Sequence, residues 1–93
     1  MENLTGTVVL ATAGRDQEGL FFVVSQSEDY VLLANGKRRK VSHPKRKSIK
    51  HLCPVDMDGF DHPAIGKLKQ GIPVSDRELR QALAAFKEGI SHG

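Results

Sequence analysis

The sequence predicts a small, mainly β protein: a five-stranded barrel with one C-terminal α-helix packed against it. Three observations carry this expectation. Five short strand-like runs, the fourth of them basic, are separated by turn residues within roughly the first fifty residues. Beyond Pro54 the apolar spacing becomes helical and is preceded by a capping signature. A chain of 93 residues buries enough surface for one small core.

The strands follow in order. Thr7-Val8-Val9-Leu10-Ala11 is a β-branched run, closed by a loop between Gly14 and Gly19. Leu20-Phe21-Phe22-Val23-Val24 is the second run, and Ser25-Gln26-Ser27-Glu28-Asp29 reads as a polar turn. Tyr30-Val31-Leu32-Leu33-Ala34 and Lys37-Arg38-Arg39-Lys40-Val41 flank Asn35-Gly36, a hairpin signal because a type I′ turn needs φ > 0 at both central residues. Pro44 cannot donate to a ladder and should end the fourth strand. Ile49-Lys50-His51-Leu52-Cys53 is the expected fifth strand, with Ile49 and Leu52 in the core. Residues 1–54 are thus expected to form the barrel. Residues 55–93 would be a helical extension packed on it within one domain.

In the extension, Pro63 suits the first position of a short helix through Leu68. Ser75-Asp76-Arg77-Glu78 is a capping box, and Val74 with Leu79 fits the accompanying hydrophobic staple. Leu79, Ala82, Leu83 and Phe86 share one helical face, and Gly89 is the expected stop. The helix charges balance, with Asp76, Glu78 and Glu88 against Arg77, Arg80 and Lys87. That predicts a structural brace with little attraction for phosphates.

Charge is distributed very unevenly. Residues 37–51 hold eight Lys/Arg and two His, with no acid. The other six Lys/Arg face all eleven acids, a balance of −5, so this stretch supplies more than the whole net charge of +3. Such segregation creates a directional field suited to a row of phosphates. The plain alternative is a solvated face or flexible arm. Val41, Ile49 and Leu52 interrupt the charges where strands could bury them, which favours cations displayed on a folded edge. Arg38, Arg39 and Arg46 can fork onto a phosphate, whereas lysines act as point charges.

Other chemistries find little support. At 39% hydrophobic and 27% charged residues the chain reads as globular rather than disordered. It shows no apolar stretch of about 18 residues and no leader-like N-terminus, and its one cysteine, Cys53, forms no internal disulfide; a cytoplasmic, non-membrane protein is expected. His51 and Cys53 lack the paired spacing of a zinc site. The run Asp56-Met57-Asp58-Gly59-Phe60-Asp61 places its glycine too early for a calcium loop and reads as a tight turn. Cys53 reads as a buried small residue rather than a nucleophile. Neither a metal, a cofactor nor catalysis is expected. With no Trp and one Tyr, stacking on single-stranded bases is poorly provided for, and Tyr30 and Phe60 read as core or half-buried residues.

Gly6, the strand after it, Gly14-Arg15-Asp16 in the loop, and Gly19 before Leu20-Phe21-Phe22-Val23-Val24 together resemble the KOW motif. Asn35-Gly36-Lys37-Arg38-Arg39, Pro44-Lys45-Arg46-Lys47 and Lys50-His51-Leu52 are similar to the continuation in small KOW-domain RNA-binding proteins, which are themselves similar to certain large-subunit ribosomal proteins. The resemblance spans residues 4–52. It implies an SH3-like barrel binding structured RNA, ribosomal RNA above all, with ribosomal proteins as further partners. The RNA-facing positions it implies are Arg15, Lys37, Arg38, Arg39, Lys40, His43, Lys45, Arg46, Lys47, Lys50 and His51, with Gly14, Gly19 and Gly36 setting loop geometry. Glu18 stands where many KOW loops carry lysine, which moves the expected phosphate grip to the later stretch. Asp16 holding the turn while Arg15 is solvated is an equally plain reading of that loop.

Two functions follow as expectations. The first is a monomeric, non-catalytic RNA-binding protein that reads shape through phosphates and 2′-hydroxyls; DNA fits the same charge pattern. The second is an SH3-like protein-interaction module that docks through the barrel or through the helix at residues 75–88.

Overall fold

The run Leu20-Phe21-Phe22-Val23-Val24 shows no polar alternation because its strand is covered on both faces. The computed structural model describes residues 3–10, 19–55, 57 and 59–91. Among them, β1 (Val8–Leu10), β2 (Leu20–Gln26), β3 (Tyr30–Ala34) and β4 (Lys45–Ser48) form an antiparallel sheet in the order β1-β2-β3-β4. A 3-10 turn, Ile49–His51, follows β4, and the helices α1 (Pro63–Lys69) and α2 (Asp76–Ser91) come next. No helix among the described residues is long and apolar enough to cross a membrane.

Adjacent residues serve opposite faces. Val9, Phe21, Val23, Val31 and Leu33 bury together on one side, flanked by Leu4, Ile49 and Leu52. Val8, Phe22 and Ala34 bury on the other, beneath Ile65 and Leu68 of α1 and Leu79, Leu83 and Phe86 of α2. Phe60 adds an edge-on contact to Phe86, with ring centres 5.2 Å apart. The register of β2 on β3 shifts between Val23 and Ser25, and a bulge of this kind bends and twists its strand. The chain leaving β4 then needs only the 3-10 turn and Leu52 to reach the far edge of the sheet. There Leu10 donates its N–H to the Cys53 carbonyl (2.9 Å), Val55 donates to Val8 (3.0 Å), and Val9 lies opposite Pro54.

The sheet departs from the five expected strands. The run from Lys37 to Val41 is a loop, and β4 begins after Pro44 rather than ending at it. The fifth run is a 3-10 turn followed by a single bridge, because the Ser48 hydroxyl caps the N–H of Lys50 and Pro54 has no N–H to extend a ladder. Cys53 is exposed, not buried, and pairs through its backbone.

The helices form where local signals place them. His62 caps α1 by accepting the Ala64 N–H at its Nδ1 (3.1 Å), and Pro63 opens the first turn. Ser75 and Glu78 exchange the two bonds of the capping box, each 3.1 Å. Val74 and Leu79 are buried in the same cluster, as a staple requires. Gly89 does not stop α2, which continues to Ser91.

Leu79 is fully buried in the cluster that joins α2 to the sheet. Leu79→Ala should therefore lower the free energy of unfolding by about 2–5 kcal/mol, read from the midpoint of a urea titration.

Candidate nucleic-acid interface

The first part of the basic stretch is a tightly bonded loop. The Asn35 side-chain oxygen accepts from the N–H groups of Lys37 (2.9 Å) and Arg39 (3.1 Å). The N–H groups of Asn35 and Gly36 return to the Arg39 carbonyl, at 2.9 and 3.1 Å. Of Asn35 and Gly36, only Gly36 takes a positive φ, +80°, so the type I′ hairpin is not formed. Gly36 is also where α2 comes closest: a Cβ there would lie 2.3 Å from the Asp76 carbonyl oxygen. Two further bonds close the seam. Asp76 accepts the Val41 N–H at 2.7 Å, and Arg80 Nη1 donates to the Gly36 carbonyl at 2.6 Å. These local and helix-borne partners use the amides that a fourth strand would have offered to β3.

After Pro44 the cations ride on β4. Lys45 and Lys47 lie opposite Leu33 and Val31, so they share the face on which Val9, Phe21 and Val23 are buried, and are half-buried. Their stems can cover the apolar rim while the ammonium groups reach water. Arg46 lies opposite Leu32 on the other face, with its guanidinium carbon 3.9 Å from the centre of the Tyr30 ring. That stacking orients the fork. Lys37, Arg38, Lys40, His43, Lys50 and His51 are exposed, and Arg39 is half-buried. Gly19 holds φ +115° at the end of its loop. Gly14 and Arg15 lie outside the described residues, as do Asp56 and Asp58. Among the described residues, no three His, Cys, Asp or Glu side chains gather as a metal would require.

The sequence expectation of a charge-neutral helix misses how α2 spends its charges. Asp76 is used on the Val41 amide. Glu78 bonds Lys67 of α1 at 2.6 Å. Arg80 and Lys87, by contrast, border the same cleft as Lys37 and Arg38. The surface thus gains two cations from outside residues 37–51. Their helical spacing, with Ala84 between them on the same side, was the available signal. It points to this loop only once the loop is docked.

No family model matches the chain, and no curated protein matches it. The likeness to the KOW motif therefore rests on the residues quoted for it.

Two outcomes follow from the seam. Gly36→Ala forces a side chain into the left-handed region and against backbone, so it should cost about 2 kcal/mol or more. Amide shifts should appear in the loop and the first turn of α2, seen by thermal melting and NMR. Glu78 is the second case. The Lys67 ammonium, with the Ser75 N–H, holds its carboxyl below the ordinary carboxylate range. A carboxyl depressed in the folded state stabilises above its unfolded pKa, and that contribution is lost as pH falls through the folded value. Melting temperature should therefore fall on acidification below about pH 4.3, and less steeply in Glu78→Gln.

Proposed function

We propose that this chain is a non-catalytic RNA-binding protein of the KOW type, acting on structured RNA, with ribosomal RNA or a ribosomal particle as the favoured target. In this reading the sheet is an SH3-like barrel whose fifth strand is reduced to the pairing of Val9 with Pro54. The observation that carries it is the combination of a held backbone and outward cations along residues 37–51. The loop is tied by Asn35 and by α2, β4 is laddered to β3, and the Ser48 hydroxyl caps the 3-10 turn, yet Lys37, Arg38, Lys40, Arg46 and Lys50 are exposed. A fixed display loses less conformational freedom when phosphates bind than a flexible arm does. The A-form groove offers phosphates and 2′-hydroxyls rather than readable base edges, which suits a surface built from Lys and Arg. Cytosolic residence accompanies this function.

The protein-docking alternative through α2 loses its natural surface, because Leu79, Ala82, Leu83 and Phe86 are all buried against the sheet.

Binding to fragments of ribosomal RNA should weaken steeply with salt. If four to six cations meet phosphates, log K falls against log [salt] with a slope of about −3 to −5. Arg46→Ala combined with Lys50→Ala should make that slope shallower by about two while leaving the melting temperature nearly unchanged. A flat salt response, or wild-type binding in the double variant, removes β4 and the 3-10 turn from the interface.

A further inference from the structure

Resting on the RNA-binding reading, we infer that the cleft between the loop after β3 and the exposed side of α2 holds a single nucleotide of the bound RNA, its phosphate between Arg80 and Lys37 and its sugar and base against Ala84 and the half-buried Leu20. Helix α2 is then part of the interface rather than only a brace beneath it.

The cleft has a volume of about 460 Å³, bordered by Lys37, Arg38, Arg80 and Lys87, with Leu83 and Ala84 among its apolar residues. No acidic residue lines it among the described residues. Two acids of α2 are engaged elsewhere, Asp76 on the Val41 amide and Glu78 on Lys67, and the exposed Glu88 lies outside the lining. Arg80 is held in place by the bond from its Nη1 to the Gly36 carbonyl. A guanidinium carries five N–H donors, and this bond uses one. The remainder are presented by a side chain already fixed, which lowers the entropy lost when an anion is gripped. Arginine is also the side chain whose fork matches phosphate oxygens. Lys37, which follows Gly36 in the chain, lines the same cleft as Arg80.

Two features select a nucleotide over a bare phosphate. The volume lies within the range of small-molecule clefts, roughly 300–1,000 Å³, far more than one phosphate fills. The wall also combines cations with apolar carbon, the pairing that a phosphate joined to a sugar and base presents. Bases inside an A-form stem are stacked on one another, so the occupant comes from a bulge, a loop or a strand end.

Titration of the ¹⁵N-labelled wild-type protein with adenosine monophosphate, and separately with inorganic phosphate, tests the cleft without any variant. The expected result is saturable amide shifts at residues 35–38 and 80–87, larger with the nucleotide than with phosphate at equal concentration. Equal shifts from the two ligands, or none at these residues, overturn the proposal. The link to RNA is tested with Ala84→Glu, which puts a carboxylate in the cleft at an exposed helical position that tolerates glutamate. Gln81→Glu, exposed and outside the cleft lining, makes the same charge change as a control. Ala84→Glu should weaken binding to ribosomal RNA fragments well beyond the control, at an unchanged melting temperature. Equal affinities in the two variants overturn the cleft proposal. Should Arg46→Ala with Lys50→Ala still lose affinity in that case, the basic-edge reading stands alone. Absence of RNA binding by the wild-type protein sinks both.

Discussion

Phe21 and Phe22 are neighbours in one strand, and neither can be left in water. Because successive side chains point to opposite faces, β2 needs cover on both sides at once. One side is covered where Phe21 packs with Val9, Val31 and Leu33, joined by Ile49 and Leu52 from beyond β4. The other is closed by the two helices. Fully burying a side chain of this size contributes about 1.5–3 kcal/mol, so leaving either face open would forfeit several such terms. The helical segment is thus as much part of the fold as the strands.

Placing α2 over Phe22 and Ala34 brings its first turn against the loop that follows β3. Glycine at position 36 permits that approach, since a Cβ would meet the Asp76 carbonyl at 2.3 Å. Once there, the helix supplies what the loop lacks. Asp76 satisfies the Val41 amide and Arg80 satisfies the Gly36 carbonyl. The exposed cations of the loop repel one another, though water and salt screen them. Here backbone bonds and a packed helix oppose that repulsion.

The same placement sorts the charges. Pairing to β3 divides Lys45 and Lys47 from Arg46 across the two faces of the sheet. The loop cations meet Arg80 and Lys87 of α2 instead. The basic surface therefore includes two patches of different composition: an edge carrying Arg46 over Tyr30, and a cleft with an apolar wall.

What the sequence determined by itself is what short-range physics controls. The capping box needs only Ser75 and Glu78, three residues apart, and it forms. Pro63 opens α1, the strand at Tyr30–Ala34 matches its apolar run, and Leu79, Ala82, Leu83 and Phe86 bury as one face. The segregation of positive charge into residues 37–51 is likewise a property of the chain alone. Tertiary structure decided how that charge is displayed. The expected strand from Lys37 to Val41 lost its amides to Asn35 beside it and to Asp76, 35 positions away. Arg80 reads as one charge of a neutral helix, because its partner, the Gly36 carbonyl, lies 44 positions earlier. The fifth strand shrank to one bridge because the 3-10 turn and Pro54 leave few amides for β1. Partners this distant carry no local periodicity, and the contest between a ladder and a docked helix is settled only by packing.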